Sequence, residues 1–311
     1  MKRFFFILLS FIILYFGQAQ RSEIGTMLGT SFYLGDLNSI PFRNAKFAGG
    51  LVYRYNFSPR MALKANILFG KITASDKTNH SILKDKNNPT LLENGKIGYP
   101  YLWDYKDRNL SFSSPLTEVS AQLEINFFNI YTVSYKNQIS PYLFGGAALF
   151  SFNPQADYTD PKTREITTFD LQPMGTEGQG REDGPKKYPL IGFAIPFGIG
   201  FKANIGKYIC IGAEWGMRFT FTKYLDDVGG EYYDFNNLKV SDIVKYFADP
   251  RYSPGNYPTN YPHKDAQRYS TIKTDWYSFA GVVITIRIGN EDRFCDIKTN
   301  VKFKHKQGKK R

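Results

Sequence analysis

Between Leu190 and Ile205 the chain reads LIGFAIPFGIGFKANI, and its two alternating sets of residues differ sharply. Odd positions carry Ile191, Phe193, Ile195, Phe197, Ile199, Phe201 and Ile205, whereas even positions carry Gly192, Ala194, Pro196, Gly198, Gly200, Lys202 and Asn204. Successive side chains of a strand point to opposite faces, so this spacing predicts a β-strand with one broad apolar face. The opposite face is mostly glycine, which suits a cramped interior better than water. The apolar face is left to meet lipid.

Seven further segments alternate in the same way: Ser22–Leu34, Lys46–Phe57, Arg60–Ile72, Leu116–Phe128, Pro141–Phe152, Tyr208–Thr222 and Asp275–Ile288. The clearest is Leu116–Phe128, where Val119, Ala121, Leu123, Ile125 and Phe127 oppose Glu118, Ser120, Gln122, Glu124 and Asn126. In Pro141–Phe152 the bulky set Tyr142, Phe144, Ala148, Phe150 and Phe152 is assigned to the apolar, outward face against small residues. Tyr277, Phe279 and Val283 blur the pattern of the last segment. Pro196 cannot donate to a strand ladder, and a closed barrel has no free edge to hold it, so a bulge is expected there.

The connections sort by length. Ser58-Pro59 and Gly206-Lys207 are two residues long and Asn129–Ile139 eleven, whereas Gly35–Ala45 is also eleven and Thr73–Pro115, Asn153–Pro189 and Lys223–Thr274 are much longer; these last four are polar and rich in turn residues. Alternation of shorter and longer links is the habit of an outer-membrane barrel, and a sandwich has no reason to adopt it. The expected fold is therefore all-β: an eight-stranded antiparallel transmembrane β-barrel with short periplasmic turns, long outer loops and both termini periplasmic. Ser241–Ala248 is expected to form a short helix in the last loop.

Placing the polar faces inside collects Arg54, Lys64, Lys202, Arg218 and Arg287 against Glu23, Glu118, Glu124, Glu214 and Asp275. An eight-stranded barrel is just wide enough for side chains to fill, and unpaired buried charge is costly, so these groups are expected to pair into a plug. A proton relay among Glu118, Glu124 and Glu214 is the sharper alternative.

The ends of the chain add a location. Lys2-Arg3, the apolar run Phe4–Phe16 and Gly17-Gln18-Ala19 read as a secretory signal over residues 1–19. The barrel would occupy 20–288, and 289–311 would form a basic periplasmic tail. Gln20, not a cysteine, stands directly after the expected cleavage point, which argues against a lipoprotein. The formal charge is +12, much of it in that tail. The tail could bind anionic lipid, dock an acidic partner or remain a solvated charge run. Val301 and Phe303 alternate with Lys302 and Lys304, so part of it could also add as a strand to a partner's sheet.

Catalytic chemistry is sparse. His80 and His263 fall in different loops, and His305 lies in the tail. Asp226-Asp227 before Gly229-Gly230 lacks the alternating oxygen pattern of a calcium loop and reads as a turn. Phe144-Gly145-Gly146 opens no helix and so is no phosphate cradle. Cys210 and Cys295 leave a disulfide open, although the chain would have to fold back to form it.

Several segments resemble the PorG-like family of small outer-membrane barrels of the type IX secretion machinery. They are Gly29–Asn38 (GTSFYLGDLN), Gly50–Leu63 (GLVYRYNFSPRMAL), Ser140–Phe152 (SPYLFGGAALFSF), Gly212–Asp227 (GAEWGMRFTFTKYLDD) and Trp276–Ile288. The resemblance implies a non-enzymatic barrel, without cofactor, that anchors a periplasmic ring or lipoprotein component. The partners would then be outer-membrane lipid and that component, with no nucleic acid and no small-molecule substrate. The expected partner surface is the periplasmic side: Ser58, Arg60, Lys136 and Lys207 in the turns, and Lys298, Lys302 and Lys304 in the tail. The alternatives are a passive pore or adhesin acting through the outer loops, and a lipid-modifying enzyme.

Overall fold

The computed structural model describes residues 22–78, 108–130, 138–206, 208–233, 235, 240–250, 268 and 274–288, with the backbone of four short strand pieces between 82 and 104. Eight long strands form the body: β1 (Ser22–Leu34), β2 (Lys46–Asn56), β3 (Met61–Ser75), β4 (Ser111–Asn126), β5 (Gln138–Phe152), β6 (Ile191–Ile205), β7 (Ile209–Thr220) and β8 (Trp276–Ile288). Each pairs antiparallel with the next, and β1 pairs with β8 from Ser22↔Ile288 to Leu34↔Trp276. The sheet is thereby closed, and every strand of the wall has a neighbour on both sides.

The outer surface is apolar on every strand. Ile24, Phe47, Leu51, Ile67, Phe69, Leu123, Leu149, Phe193, Ile199 and Ile286 are all exposed on the exterior phase. So continuous a belt would be a liability in water, and it suits hydrocarbon. Phe32 shares that phase yet is fully buried, because the first outer connection folds back over it: the Phe32 and Phe42 rings lie 4.7 Å apart, and Phe42 lies 5.5 Å from Trp215.

The inner face of β5 overturns one expectation. Tyr142, Phe144 and Phe150 point into the barrel, and Leu143 and Leu149 face outward. The reason lies across the ladder. Tyr142, Phe144 and Phe150 stand opposite Gly200, Gly198 and Gly192 of β6. A Cβ on Gly200 would collide with the Tyr142 ring; one on Gly198 would lie 2.6 Å from Phe144 Cζ, and one on Gly192 2.8 Å from Phe150 Cζ. The even-numbered glycines of β6 thus make room for aromatic rings of the neighbouring strand, and the rings cover the bare backbone.

The bulge expected at Pro196 is absent. The β5–β6 register is unchanged from Ala194↔Ala148 to Phe197↔Gly145, and only the pairing of residues 195 and 196 to β5 drops out. Pro196 stays paired with Arg218 on the other side, so the missing donor is absorbed by a local gap in one ladder.

Above the wall, β3 and β4 run past their neighbours, and a hairpin (Gln155–Thr159, Ile166–Asp170) joins the end of β4 through Gln155↔Ser113. A helix, α1 (Asp242–Ala248), starts at Ser241, whose hydroxyl accepts from Val244 N at 3.4 Å, and it buries Phe247. Among the described residues no helix is long and apolar enough to cross a membrane.

The glycine–aromatic pairing is testable. Gly200→Val should cost about 1–3 kcal/mol by overpacking. It should lower the temperature at which the compact band of an unboiled sample disappears on an SDS gel, whereas Ile199→Val on the lipid face should leave that temperature unchanged.

Candidate functional site

The lumen is filled by charge. Its hub is Glu124, fully buried, with Arg54 Nε at 2.9 Å, Lys202 Nζ at 2.8 Å and Lys64 Nζ at 3.5 Å. Arg54 reaches on to Glu23 at 2.7 Å, and Glu23 is met by Arg287 at 3.5 Å. Lys64 reaches Glu214 at 2.6 Å, and the Tyr142 hydroxyl donates to the same carboxylate at 2.8 Å. Nearer the outer end Arg218 pairs with Glu118 at 3.0 Å, Tyr277 donates to Glu118 at 3.0 Å, and the guanidinium lies 4.8 Å over the Phe279 ring. The structure therefore brings together Arg54, Lys64, Glu118, Glu124, Lys202, Glu214, Arg218 and Arg287 in one column. Tyr277 and Phe279, which blurred the sequence pattern, are part of its lining.

Asp275 is the exception. Expected inside among the cations, it stands at the outer rim, where Tyr33 Oη donates to Asp275 at 2.9 Å and to Asp226 at 2.5 Å. The carboxylates of Asp36, Asp226 and Asp275 come within 4.8 Å of one another, the one such trio among the described residues. Burial and mutual repulsion hold Asp226 and Asp275 well above the usual carboxylate range. These oxygens could share protons or surround a cation. Asp226 was read from sequence as part of a turn, and its backbone is indeed in one.

Two buried arginines tie the outer connections together. Arg108 pairs with Asp76 at 2.6 Å and donates to the backbone oxygens of Arg268 at 2.6 Å and Asp36 at 3.3 Å. Arg268 donates to Thr176 Oγ1 at 3.0 Å, Glu177 Oε1 at 3.2 Å, Asp227 O at 2.9 Å and Phe247 O at 3.0 Å. Asp227 also accepts from the Tyr188 hydroxyl at 2.6 Å. Tyr188 stacks between Phe152 at 6.3 Å and Tyr224 at 4.7 Å, so an aromatic layer separates this cap from the ion pairs below. None of Arg108, Arg268, Glu177 or Tyr188 stands out in the sequence. They lie in long polar connections without periodicity, and only the packing shows which cations are buried.

At the opposite end, that of the short turns, Ser58 Oγ accepts from Met61 N at 2.9 Å and closes the β2–β3 turn. Arg60 Nε donates to Asn129 Oδ1 at 2.9 Å, and Ile130 N to Pro59 O at 2.9 Å, so two inner turns are joined. Lys136, Lys207, Lys298, Lys302 and Lys304 lie outside the described residues, as do all three histidines, the signal segment and the tail. Cys210 is a buried thiol on the lumen face, 4.0 Å from Arg54 Nη1, and Cys295 lies outside the described residues.

These features define a transmembrane β-barrel of the outer-membrane type, its lumen filled and the end with the long connections capped among the described residues. The chain belongs to the family described as a domain of unknown function, DUF6089, whose pattern matches residues 2–94 and 177–247, more than half of the length. No curated protein matches it. Among solved structures, it is similar to Ail, the attachment invasion locus protein of Yersinia pestis (8% identity, 85% of this chain and 96% of that one, TM-score 0.34). It is also similar to Neisserial surface protein A (7%, 86% and 96%, 0.36) and to the N-terminal β-barrel domain of Pseudomonas aeruginosa OprF (9%, 86% and 99%, 0.30). Likenesses this distant carry nothing over to the present chain.

Two outcomes are expected. Glu124→Gln leaves three buried cations around a neutral amide and should cost about 3–5 kcal/mol in urea unfolding of the folded barrel. In the cap, burial pushes Glu177 up to about 7 against the pull of Arg268. A carboxylate with a raised folded pKa stabilises in acid and loses that contribution as pH rises from its ordinary value, about 4.5, towards 7. Hydrogen exchange at residues 176–180 and 227–230, corrected for intrinsic rate, should accelerate across that window, and Glu177→Gln should flatten the rise.

Proposed function

We propose that this chain is a non-enzymatic outer-membrane anchor that docks a periplasmic ring or lipoprotein component of a protein secretion machinery of the type IX kind. The observation that carries the reading is the filled lumen. Among the described residues the ion-pair column, the aromatic layer and the arginine-tied cap occupy the lumen, which favours a role at the surfaces over one in conduction. Work is then left to the surfaces at either end. The family resemblance of the strand segments favours the periplasmic one. There Arg60, Asn129, Pro59 and Ile130 brace two turns against each other.

Ser58, Arg60, Lys136, Lys207, Lys298, Lys302 and Lys304 are the groups proposed to meet the partner, by a basic surface that speeds encounter with an acidic one. The reading is of a non-enzymatic role, and no cofactor or small-molecule substrate enters it.

Detergent extraction followed by co-purification should recover a periplasmic lipoprotein with the wild-type chain. Arg60→Glu combined with Lys136→Glu and Lys207→Glu should reduce recovery at least tenfold while the unboiled SDS-gel band stays compact. Secretion that continues unchanged in a clean deletion strain would sink the proposal. Adhesion lost on deletion, with secretion intact, would move the function to the outer loops.

A further inference from the structure

The wall of the barrel has no free strand edge, but the sheet reopens above it. The hairpin beyond β5 pairs Gln155 with Asp170, Asp157 with Thr168 and Thr159 with Ile166, and among the described residues no strand lies on the far side of Ile166–Asp170. The hydrogen bonds fix which groups face that side. Asp160 N donates to Glu165 O at 2.9 Å, and Leu171 N donates to Pro154 O at 2.9 Å. Bonded and non-bonded pairs alternate along an antiparallel ladder, so residues 165, 167, 169 and 171 are the ones that bond to the first hairpin strand. The N–H and C=O groups of Ile166, Thr168 and Asp170 therefore point away from the hairpin. Ile166, Thr167, Thr168 and Asp170 are all exposed, Ile166 to 66%.

Natural sheet edges are commonly blunted by proline, lysine or a bulge. Ile166–Asp170 (ITTFD) has none of these, and its β-branched residues favour a strand. The segment is also self-complementary. Laid antiparallel against a second copy with Thr167 facing Thr167, Ile166 meets Thr168, and Arg164 of the adjoining turn meets Asp170, each twice by symmetry. This register joins the outward-pointing residues of both copies. Threonine pairs and opposite charges are both favourable across strands. With Thr168 facing Thr168 instead, Ile166 would fall against Asp170 and the charge pairs would be lost. Asp170 is held ready by neutral donors: its Oδ1 accepts from Asn153 Nδ2 at 2.9 Å and from Gln155 Nε2 at 2.8 Å.

The direction of approach follows from the ladder. β4 runs from the capped end towards the short turns, Gln155–Thr159 pairs antiparallel with its start and so runs away from the membrane, and Ile166–Asp170 returns. An antiparallel second copy comes from the opposite side, which places its barrel in a facing membrane and not beside the first.

We propose that Ile166–Asp170 is a homotypic contact strand that pairs with the same strand of a second copy in a facing membrane and so bridges two membrane surfaces. A ladder this short is weak between two molecules, and it gains strength from many copies on apposed surfaces. The role is independent of the docking of a periplasmic partner, since it uses the other end of the barrel.

The test reconstitutes the full mature chain in phosphatidylcholine vesicles and follows their clustering by light scattering. Wild-type vesicles should cluster, and protein-free vesicles should not. Arg164→Asp and Asp170→Arg vesicles should each cluster at least about fivefold less, because both symmetric pairs become like-charged and the loss is multiplied over many copies. Mixing the two variants restores opposite charges at both ends of the ladder. Clustering should then return to near the wild-type level, with both vesicle populations, marked by different lipid dyes, in each cluster. Thr168→Pro removes an outward N–H that the hairpin does not use, so clustering should be lost while the unboiled SDS-gel band stays compact. The proposal is overturned if wild-type vesicles do not cluster, if either charge variant clusters undiminished, or if the mixture does not recover. Dimers in detergent without vesicle clustering would set both copies in one membrane and overturn it as well.

Discussion

Everything in this molecule depends on the neutralisation of charge inside a closed wall. Closing eight strands leaves an interior only wide enough for side chains, and every buried ion there must find its counter-ion or cost several kcal/mol. Glu124 meets that demand for three cations at once, Arg54, Lys64 and Lys202, which reach it from β2, β3 and β6. Because Lys64 on β3 also reaches Glu214 on β7, the ion pairs hold the barrel across its diameter as well as around its circumference. The same column fills the lumen between the two rims.

Shape complementarity finishes what charge begins. The inner glycines of β6 would leave the backbone bare, and the rings of Tyr142, Phe144 and Phe150 lie over them from the adjoining strand. Tyr142 then serves both purposes, covering Gly200 and donating to Glu214. Above, the stack of Phe152, Tyr188 and Tyr224 gives the cap a floor. The cap itself is held by backbone carbonyls gathered on Arg108 and Arg268, an economical way to order long connections that have few regular elements of their own.

Strand number, order and phase were legible from alternation, since period two exposes each wall residue as inward or outward. The interior ions were legible for the same reason: a charge on the polar phase of a lipid-facing strand has nowhere else to go. The rule failed for β5, where bulky apolar residues occur on the inward phase. Alternation shows that two faces differ, but it does not say which one is inside when both lack charge. It also failed for Asp275, one residue beyond the strand end, where phase no longer constrains direction.

The amino-acid sequence by itself determined a closed barrel, its apolar exterior and the set of ions it would have to bury, because those follow from local spacing and the cost of unpaired charge. Only the tertiary structure decided which cation meets which carboxylate, that β5 turns its aromatics inward over the glycines of β6, and that Arg108 and Arg268 bind the outer connections into a cap. Those choices are made between residues far apart in the chain, where no periodicity carries information and only the shared space between them sets the pairing.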